Sequence, residues 1–379
     1  MNHDKKAIEL HKKHKGKIEI KLKIPLKTKN DLSAAYTPGV GAVCLAIKDK
    51  PDLSWQLTNR ANQVAIVTDG TAILGLGNIG PEAGMPVMEG KSAIFKEFAG
   101  IDAIPLAINT TDTEEIIKFS KWIEPSFAGI NLEDISAPRC FEVTERLEKE
   151  LSIPVFHDDQ DGTAIVTLAA LVNACRVTGK VMKELKVVIN GAGAAGIATA
   201  RLLLAAGAGD IILLDSVGAI YKGRSGLNEY KKIIAAKTNR RKIKGGLNEA
   251  MAGADVFIGL SKGNLVDSAM VKNMNKAPII FAMANPAPEI LPDIAYRAGA
   301  AIVGTGRSDF SNQINNALVF PGIFRGLLDN HVKTVTTEMK LKASLAIAYS
   351  VKKITKNNIL PNITDKNVVK NIARIITNK

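Results

Sequence analysis

Two acidic pairs carry the first chemical signal. Glu133-Asp134 closes the run Gly129-Ile-Asn-Leu, and Asp158-Asp159 follows Ile153-Pro-Val-Phe-His157. Each apolar run reads as a buried strand, so both pairs fall at carboxyl ends of strands, where open α/β sheets bind ligands. Three or four carboxylates gathered there repel one another unless a cation sits among them. Oxygen ligands without cysteine, and with at most His157 nearby, suit Mg2+ or Mn2+ better than Zn2+. Helix caps are the rival explanation: Asp134 precedes a helix near Cys140, and Asp161 stands before one at Thr163. One pair alone reads best as a cap. Two pairs on successive strands favour a metal.

The clearest local pattern is Lys186-Val-Val-Ile-Asn-Gly191-Ala-Gly193-Ala194-Ala195-Gly196. An apolar strand runs into a G-x-G-x-x-G turn that opens a helix, the fingerprint of a dinucleotide site. Gly191 permits the tight turn, Gly193 lets the backbone approach a pyrophosphate, and Gly196 lets helix and strand pack closely. Free N–H groups at the helix start, around Ala194 and Ala195, favour the anion. Strand Ile211–Leu214 then ends in Asp215, 19 residues after Gly196, where a ribose-binding carboxylate belongs. Other residues are less legible. Tyr36 stands in the turn Ala35-Tyr-Thr-Pro-Gly-Val-Gly41, and Lys91 is read at the start of a helix, a poor place for a cation. Asn285 and Asn315 follow late strands or loops.

These residues need elements to hold them. Apolar runs predict strands at Val64–Thr68, Ala103–Ile108, Gly129–Leu132, Ile153–Phe156, Val187–Asn190, Ile211–Leu214, Val256–Gly259, Ile279–Ala282 and Ala301–Val303. Amphipathic stretches at Thr113–Trp122, Cys140–Leu151, Thr163–Thr178 and Ala194–Ala206 alternate with them, which predicts α/β architecture with parallel sheets. A boundary near residue 160 gives an N-terminal α/β domain over 1–160. Residues 161–379 form a Rossmann-type domain, a doubly wound parallel sheet with C-terminal helices. The tail after Pro321 reads as helices only and is expected to fold back on the first domain.

Composition excludes several classes. The chain has 379 residues, 46% hydrophobic and 5% aromatic, with no run of about 18 apolar residues, so no membrane span is expected. The net charge of +13 sits at the ends: residues 1–30 carry +7 and 331–379 carry +8, leaving the body at −2. Residues 1–30 hold no aromatic side chain for base stacking, so the basic ends read as solvated surface and no nucleic-acid partner is expected. Met1–Lys15 has five Lys and no apolar core, so no secretory signal is read there. Cys44, Cys140 and Cys175 are too few and too scattered for a disulfide framework; they read as small core residues of a cytoplasmic protein.

Six motifs taken together resemble the malic enzyme family, in its small bacterial form, from about residue 20 to 350. They are Tyr36-Thr-Pro-Gly, Thr68-Asp-Gly…Ile73-Leu-Gly-Leu-Gly-Asn-Ile-Gly80, Pro86-Val-Met-Glu-Gly-Lys91, Ile130-Asn-Leu-Glu133-Asp134-Ile, His157-Asp-Asp159-Gln…Gly162-Thr163 and Ala284-Asn285-Pro286. The chain is too short to hold the phosphotransacetylase-like domain fused to some relatives. The resemblance implies oxidative decarboxylation of (S)-malate to pyruvate and CO2 with reduction of NAD or NADP, Mg2+ or Mn2+ dependence, and a homodimer. It makes the N-terminal domain the malate- and metal-binding one. Tyr36 matches the family's general acid and Lys91 its general base. Glu133, Asp134 and Asp159 match the metal ligands, with Asp158 beside them. Asn285 and Asn315 match contacts to substrate or the nicotinamide end, and Thr163 lies near the cofactor. As base, Lys91 would need a pKa lowered towards about 7–8.

Two positions depart from the family. Ala72 stands where larger members carry an Arg that clamps a malate carboxylate, which turns attention to backbone N–H groups around Asn78–Gly80. Asp161 replaces a His common in small relatives. Asp215 favours NAD, because a 2′-phosphate would meet like charge; Lys222 and Arg224 nearby could offset that. The rival functions are a metal-free dehydrogenase of another small acid, and a regulatory protein that binds a nucleotide or polyanion without catalysis.

Overall fold

A computed structural model describes residues 3–377; Met1, Asn2, Asn378 and Lys379 lie outside the described residues. Among the described residues ten strands form two sheets. The first holds β1 (Gln63–Thr68), β2 (Asp102–Ala107), β3 (Gly129–Leu132) and β4 (Val155–His157), all parallel, in the order β2-β1-β3-β4. The second holds β5 (Lys186–Asn190), β6 (Asp210–Asp215), β7 (Gly218–Ala219), β8 (Val256–Gly259), β9 (Ile279–Ala282) and β10 (Ile302–Thr305). Its order is β10-β9-β8-β5-β6-β7. From β5 the chain steps outward to β6 on one side and later to β8 on the other, which leaves a crevice at the carboxyl end of β5.

All nine expected strands are present within two residues of their predicted ends. The expectation of a wholly parallel second sheet is corrected at its edge. β7 pairs antiparallel with β6, Asp215 facing Gly218. Two residues separate these strands, enough for a hairpin and far too few for a crossover.

One apolar core runs from the first sheet through the helix Thr163–Thr178 to the near face of the second. Val187 and Ile189 point into it, while Val188 between them points into a second core on the far face. That alternation is the period of a strand covered on both sides. Helix Thr163–Thr178 buries eleven residues, since it lies between layers and has little solvent face.

Of the C-terminal helices, Phe320–Asp329 and Lys366–Ala373 return to the first half, as expected, whereas Thr337–Tyr349 packs on Thr163–Thr178 and Ala194–Ala205 of the second. Phe320 and Phe324 stack on Phe95 at 4.7 and 5.2 Å, and Arg325 donates to Asn62 at 2.9 Å. At the other end, the helices Lys29–Ala35, Val40–Asp49 and Ser54–Leu57 bury no residue. Lys17 ties this segment to the Lys91 helix, its Nζ donating to Pro86 O at 2.6 Å. Cys44 lies on the second of these helices and is exposed, contrary to the expected core role; Cys140 and Cys175 are buried. No described helix is long and apolar enough to cross a membrane.

Candidate active site

β3 and β4 are paired with Leu132 opposite His157, so the residues after both strands open at one edge. There the ligand oxygens of Glu133, Asp134 and Asp159 lie within 4.8 Å of one another. Asp134 adopts a left-handed φ of 53° and donates its backbone N–H to Asp159 Oδ2 at 2.8 Å, while its own Oδ2 is buried without a hydrogen-bond partner. Neither rival cap forms. Pro138 and Gly162 occupy the two N-cap positions without side-chain bonds, and Asp161 instead pairs with Lys340 at 2.7 Å.

Lys91 faces this cluster. It sits in the middle of the helix Pro81–Ala99, not at a helix start as expected, and is 7% exposed. Its Nζ lies 2.5 Å from Glu133 Oε1 and 2.5 Å from Asp158 Oδ2, and 4.6 Å from the Phe320 ring. Burial alone would lower its pKa, but Asp158, Glu133 and Asp159 outweigh burial and hold it above its ordinary value. That is the reverse of the shift a general base needs. Burial, and then mutual repulsion for all but Asp159, raises the carboxyls of Glu133, Asp134, Asp158 and Asp159, against the pull of Lys91. Four carboxylates against one ammonium, with a buried oxygen left unpartnered, make a donor set that fits a hard divalent cation. Such a charge would also remove the field that holds the Lys91 proton.

A cavity of about 310 Å³ opens over the cluster. Lys91, Glu133, Asp134 and Asp159 line it from the first half, and Thr163, Ala195, Asn285 and Asn315 from the second. Asn315 Oδ1 accepts from Ala317 N–H at 2.8 Å, which leaves its amide nitrogen free of that bond. Gly75 meets the Asn285 backbone so closely that a Cβ would stand 1.6 Å from the carbonyl oxygen, so only glycine lets the two halves close there.

The glycine turn is built as expected. Gly191 has φ 119° and donates to Leu214 O at 2.9 Å, which ties the turn to the end of β6. A Cβ on Gly196 would stand 1.7 Å from Gly191 O. Gly193 caps the helix Ala194–Ala205 and faces open space. Of this turn, Ala195 reaches the cavity lining; Gly191, Gly193, Ala194 and Gly196 form the turn itself. Asp215 ends β6, and its Oδ2 is shared by Arg224 and by Lys231 at 2.7 Å. Burial opposes ionisation, yet these cations and the Val217 N–H hold its pKa below the carboxylate norm. Lys222, the other expected cation, is exposed; Lys231 takes that place.

Two residues expected at the reacting centre are, like Asp215 and most of the glycine turn, not on the cavity. Tyr36 is 67% exposed and outside its lining, and Asp158 is fully buried behind Lys91. The backbone of Asn78–Gly80 is no carboxylate cradle: Ile79 and Gly80 N–H both point to Gly70 O at 3.3 Å. Sequence reasoning missed Lys231, Lys340 and Glu289. The two lysines are ordinary surface types until the fold pairs them, and Glu289 shows only as a lone acid after Asn285-Pro286.

Residues 15–118 match the model of the malic enzyme N-terminal domain, and residues 160–379 match that of the malic enzyme NAD-binding domain. The chain belongs to the malic enzyme family. It is 52% identical to the bifunctional malic/malolactic enzyme of Bacillus subtilis, over 98% of this chain and 91% of that one. It is equally identical to the NAD-dependent malic enzyme of Geobacillus stearothermophilus, over 95% of this chain and 76% of that one. The crystal structure of the NAD-dependent malic enzyme of Thermotoga maritima superposes with a TM-score of 0.94 at 46% identity, covering 98% and 99% of the two chains. This malic enzyme therefore carries its glycine turn and Asp215 in an NAD(P)-binding domain.

Proposed function

We propose that this malic enzyme oxidatively decarboxylates (S)-malate to pyruvate and CO2 while reducing NAD or NADP. The observation that carries the reading is one cavity lined by Lys91, three acidic oxygen ligands and three asparagines beside the dinucleotide turn. Glu133, Asp134 and Asp159 would hold Mg2+ or Mn2+, which when bound polarises the C2 oxygen of malate. NAD(P) supplies the hydride acceptor. Lys91 takes the C2 hydroxyl proton, oriented by Asp158 at 2.5 Å and shielded by Phe320. With Ala72 in the lining, the amides of Asn285 and Asn315 are among the neutral donors available to a malate carboxylate. Thr163 and Ala195 flank the nicotinamide end.

Tyr36 protonates C3 in this reading, and its exposure asks for a second chain. Ile20, Leu22, Ile24 and Leu26 are 94, 62, 54 and 46% exposed along the same N-terminal segment. An apolar stripe of that length is an interface in search of a partner. We therefore read a cytoplasmic homodimer in which this segment docks on the second copy and Tyr36 serves the partner's cavity. NAD is the favoured cofactor because Asp215 ends β6 beside the glycine turn, with NADP turnover retained through Arg224 and Lys231. Residues 1–160 hold the metal and most of the malate site, and 161–379 the dinucleotide and the two asparagines that face malate.

The test is direct. Malate, each nicotinamide cofactor and Mn2+ or Mg2+ are combined with and without EDTA, and reduced cofactor and CO2 are followed. Release of CO2 with equimolar reduced cofactor, abolished by EDTA, is expected. Reduction without CO2, or unaffected by EDTA, would instead favour a metal-free dehydrogenase.

A further inference from the structure

Glu289 is fully buried beneath the carboxyl ends of β8 and β9. Its carboxylate accepts the backbone N–H of Ser261 at Oε1 (3.4 Å) and of Ala284 at Oε2 (3.1 Å). Among the described residues no ion pair joins it to a cation. Space for it is made by Gly259, where a Cβ would stand 2.1 Å from Glu289 Cδ. An unpaired buried carboxylate is costly, and burial pushes this one up to about 7 despite its backbone donors.

The two donors have one thing in common. Ser261 and Ala284 lie on the segments after β8 and β9, and both line the cavity, as do Leu260 and Asn285 next to them. Ser261 is tied further to β5, its Oγ accepting from Asn190 Nδ2 at 2.8 Å. Asn190 immediately precedes the Gly191 turn. A Cβ on Gly191 would meet Leu260 O at 2.5 Å, so these segments touch. One buried carboxylate thus fixes the spacing between two loops and, through Ser261, the glycine turn.

We propose that Glu289 is a positioning residue for the dinucleotide: it clamps the Ser261 and Ala284 segments at the separation that admits the nicotinamide end of NAD(P). It touches no reacting atom and acts through backbone donors alone. An ionised carboxylate accepts at both oxygens, whereas a protonated acid or an amide turns one of them into a donor facing an N–H. The inference rests on the dinucleotide occupying the crevice beside Gly191.

The experiment is titration of NADH and NADPH into the parent enzyme and Glu289→Gln, followed by fluorescence, with Mn2+ affinity and Tm measured on the same samples. Kd for the reduced dinucleotide is expected to rise about tenfold or more in Glu289→Gln, as for a buried donor left unmatched. Mn2+ affinity should stay within twofold, and KM for NAD(P) should rise more than KM for malate. Ser261→Ala, which cuts the tether to Asn190 by an exposed, conservative change, should shift dinucleotide Kd in the same direction, and it keeps the test open if Glu289→Gln does not fold. Dinucleotide Kd within twofold of the parent in the folded variants would overturn the proposal, whatever happens to Tm. A parent enzyme that binds neither NADH nor NADPH would instead overturn the cofactor reading beneath it.

Discussion

Replacing Asp215 by Ser removes the anion that Arg224 and Lys231 share, and its effect on cofactor choice can be worked out from the structure. Oδ2 is committed to the two cations, and Oδ1 accepts only Val217 N–H at 3.1 Å, so Oδ1 is the oxygen left for a ribose hydroxyl. Losing a hydrogen bond to a charged group costs about 1.5–3 kcal/mol, roughly ten- to a hundredfold in kcat/KM for NAD. On the NADP side, a unit charge pair about 5 Å apart in an effective dielectric of 20 is worth about 3 kcal/mol. Solvent around the phosphate halves that to about 1.5 kcal/mol, a further tenfold. The ratio of kcat/KM for NADP to that for NAD should therefore rise about 10²–10³-fold in Asp215→Ser. The assay measures reduced-cofactor absorbance at saturating malate and Mn2+, with each cofactor varied. Both arms use the same enzyme, so partial unfolding from leaving two part-buried cations unpaired cancels in the ratio. A ratio within twofold of the parent's, or a parent that already prefers NADP, would refute the reasoning.

Lys91→Ala should lower kcat by about 10²–10⁴-fold, the worth of a positioned base, and near-normal kcat at saturating Mn2+ would remove Lys91 from that role. Asp159→Asn and Glu133→Gln should each raise the Mn2+ concentration for half-maximal activity while NADH still binds, read by fluorescence; loss of both would point to misfolding. Mixing inactive Tyr36→Phe and Lys91→Ala chains should restore part of the activity, because one of the two cavities of a mixed dimer then has an intact pair. Mixed samples no faster than their parents would place Tyr36 in its own chain. Acid unfolding should shift to lower pH in the parent than in Asp215→Asn. Asp215 has a depressed pKa when folded, so its contribution is present above the unfolded carboxylate pKa and is lost as pH falls through the folded one.

What the sequence revealed and what it hid divide along a physical line. Strands were legible because β-branched runs such as Val187–Asn190 are buried on both faces, and the glycine turn because its spacing follows from backbone sterics alone. Glu133, Asp134 and Asp159 could be grouped because β3 and β4 are parallel neighbours, so residues one or two places past each strand end meet. The rest depends on partners far away in the chain. Lys91 was misread at a helix start because Gly84, Pro86 and Gly90 break the helical pattern around it, yet the helix runs through them from Pro81 to Ala99. Its shift was misjudged because the sign depends on Glu133 and Asp158, 42 and 67 residues on, more than on burial. Asp161, where the resemblance leads one to expect a His, has no partner in sight along the sequence until the fold sets Lys340 beside it. Its charge is answered locally, so it adds nothing to the excess held by Glu133, Asp134 and Asp159. A functional site is therefore least readable where its charge balance is set by pairs that only the fold makes, and several surround this cavity: Lys91 with Asp158, Asp161 with Lys340, and Asp215 with Lys231.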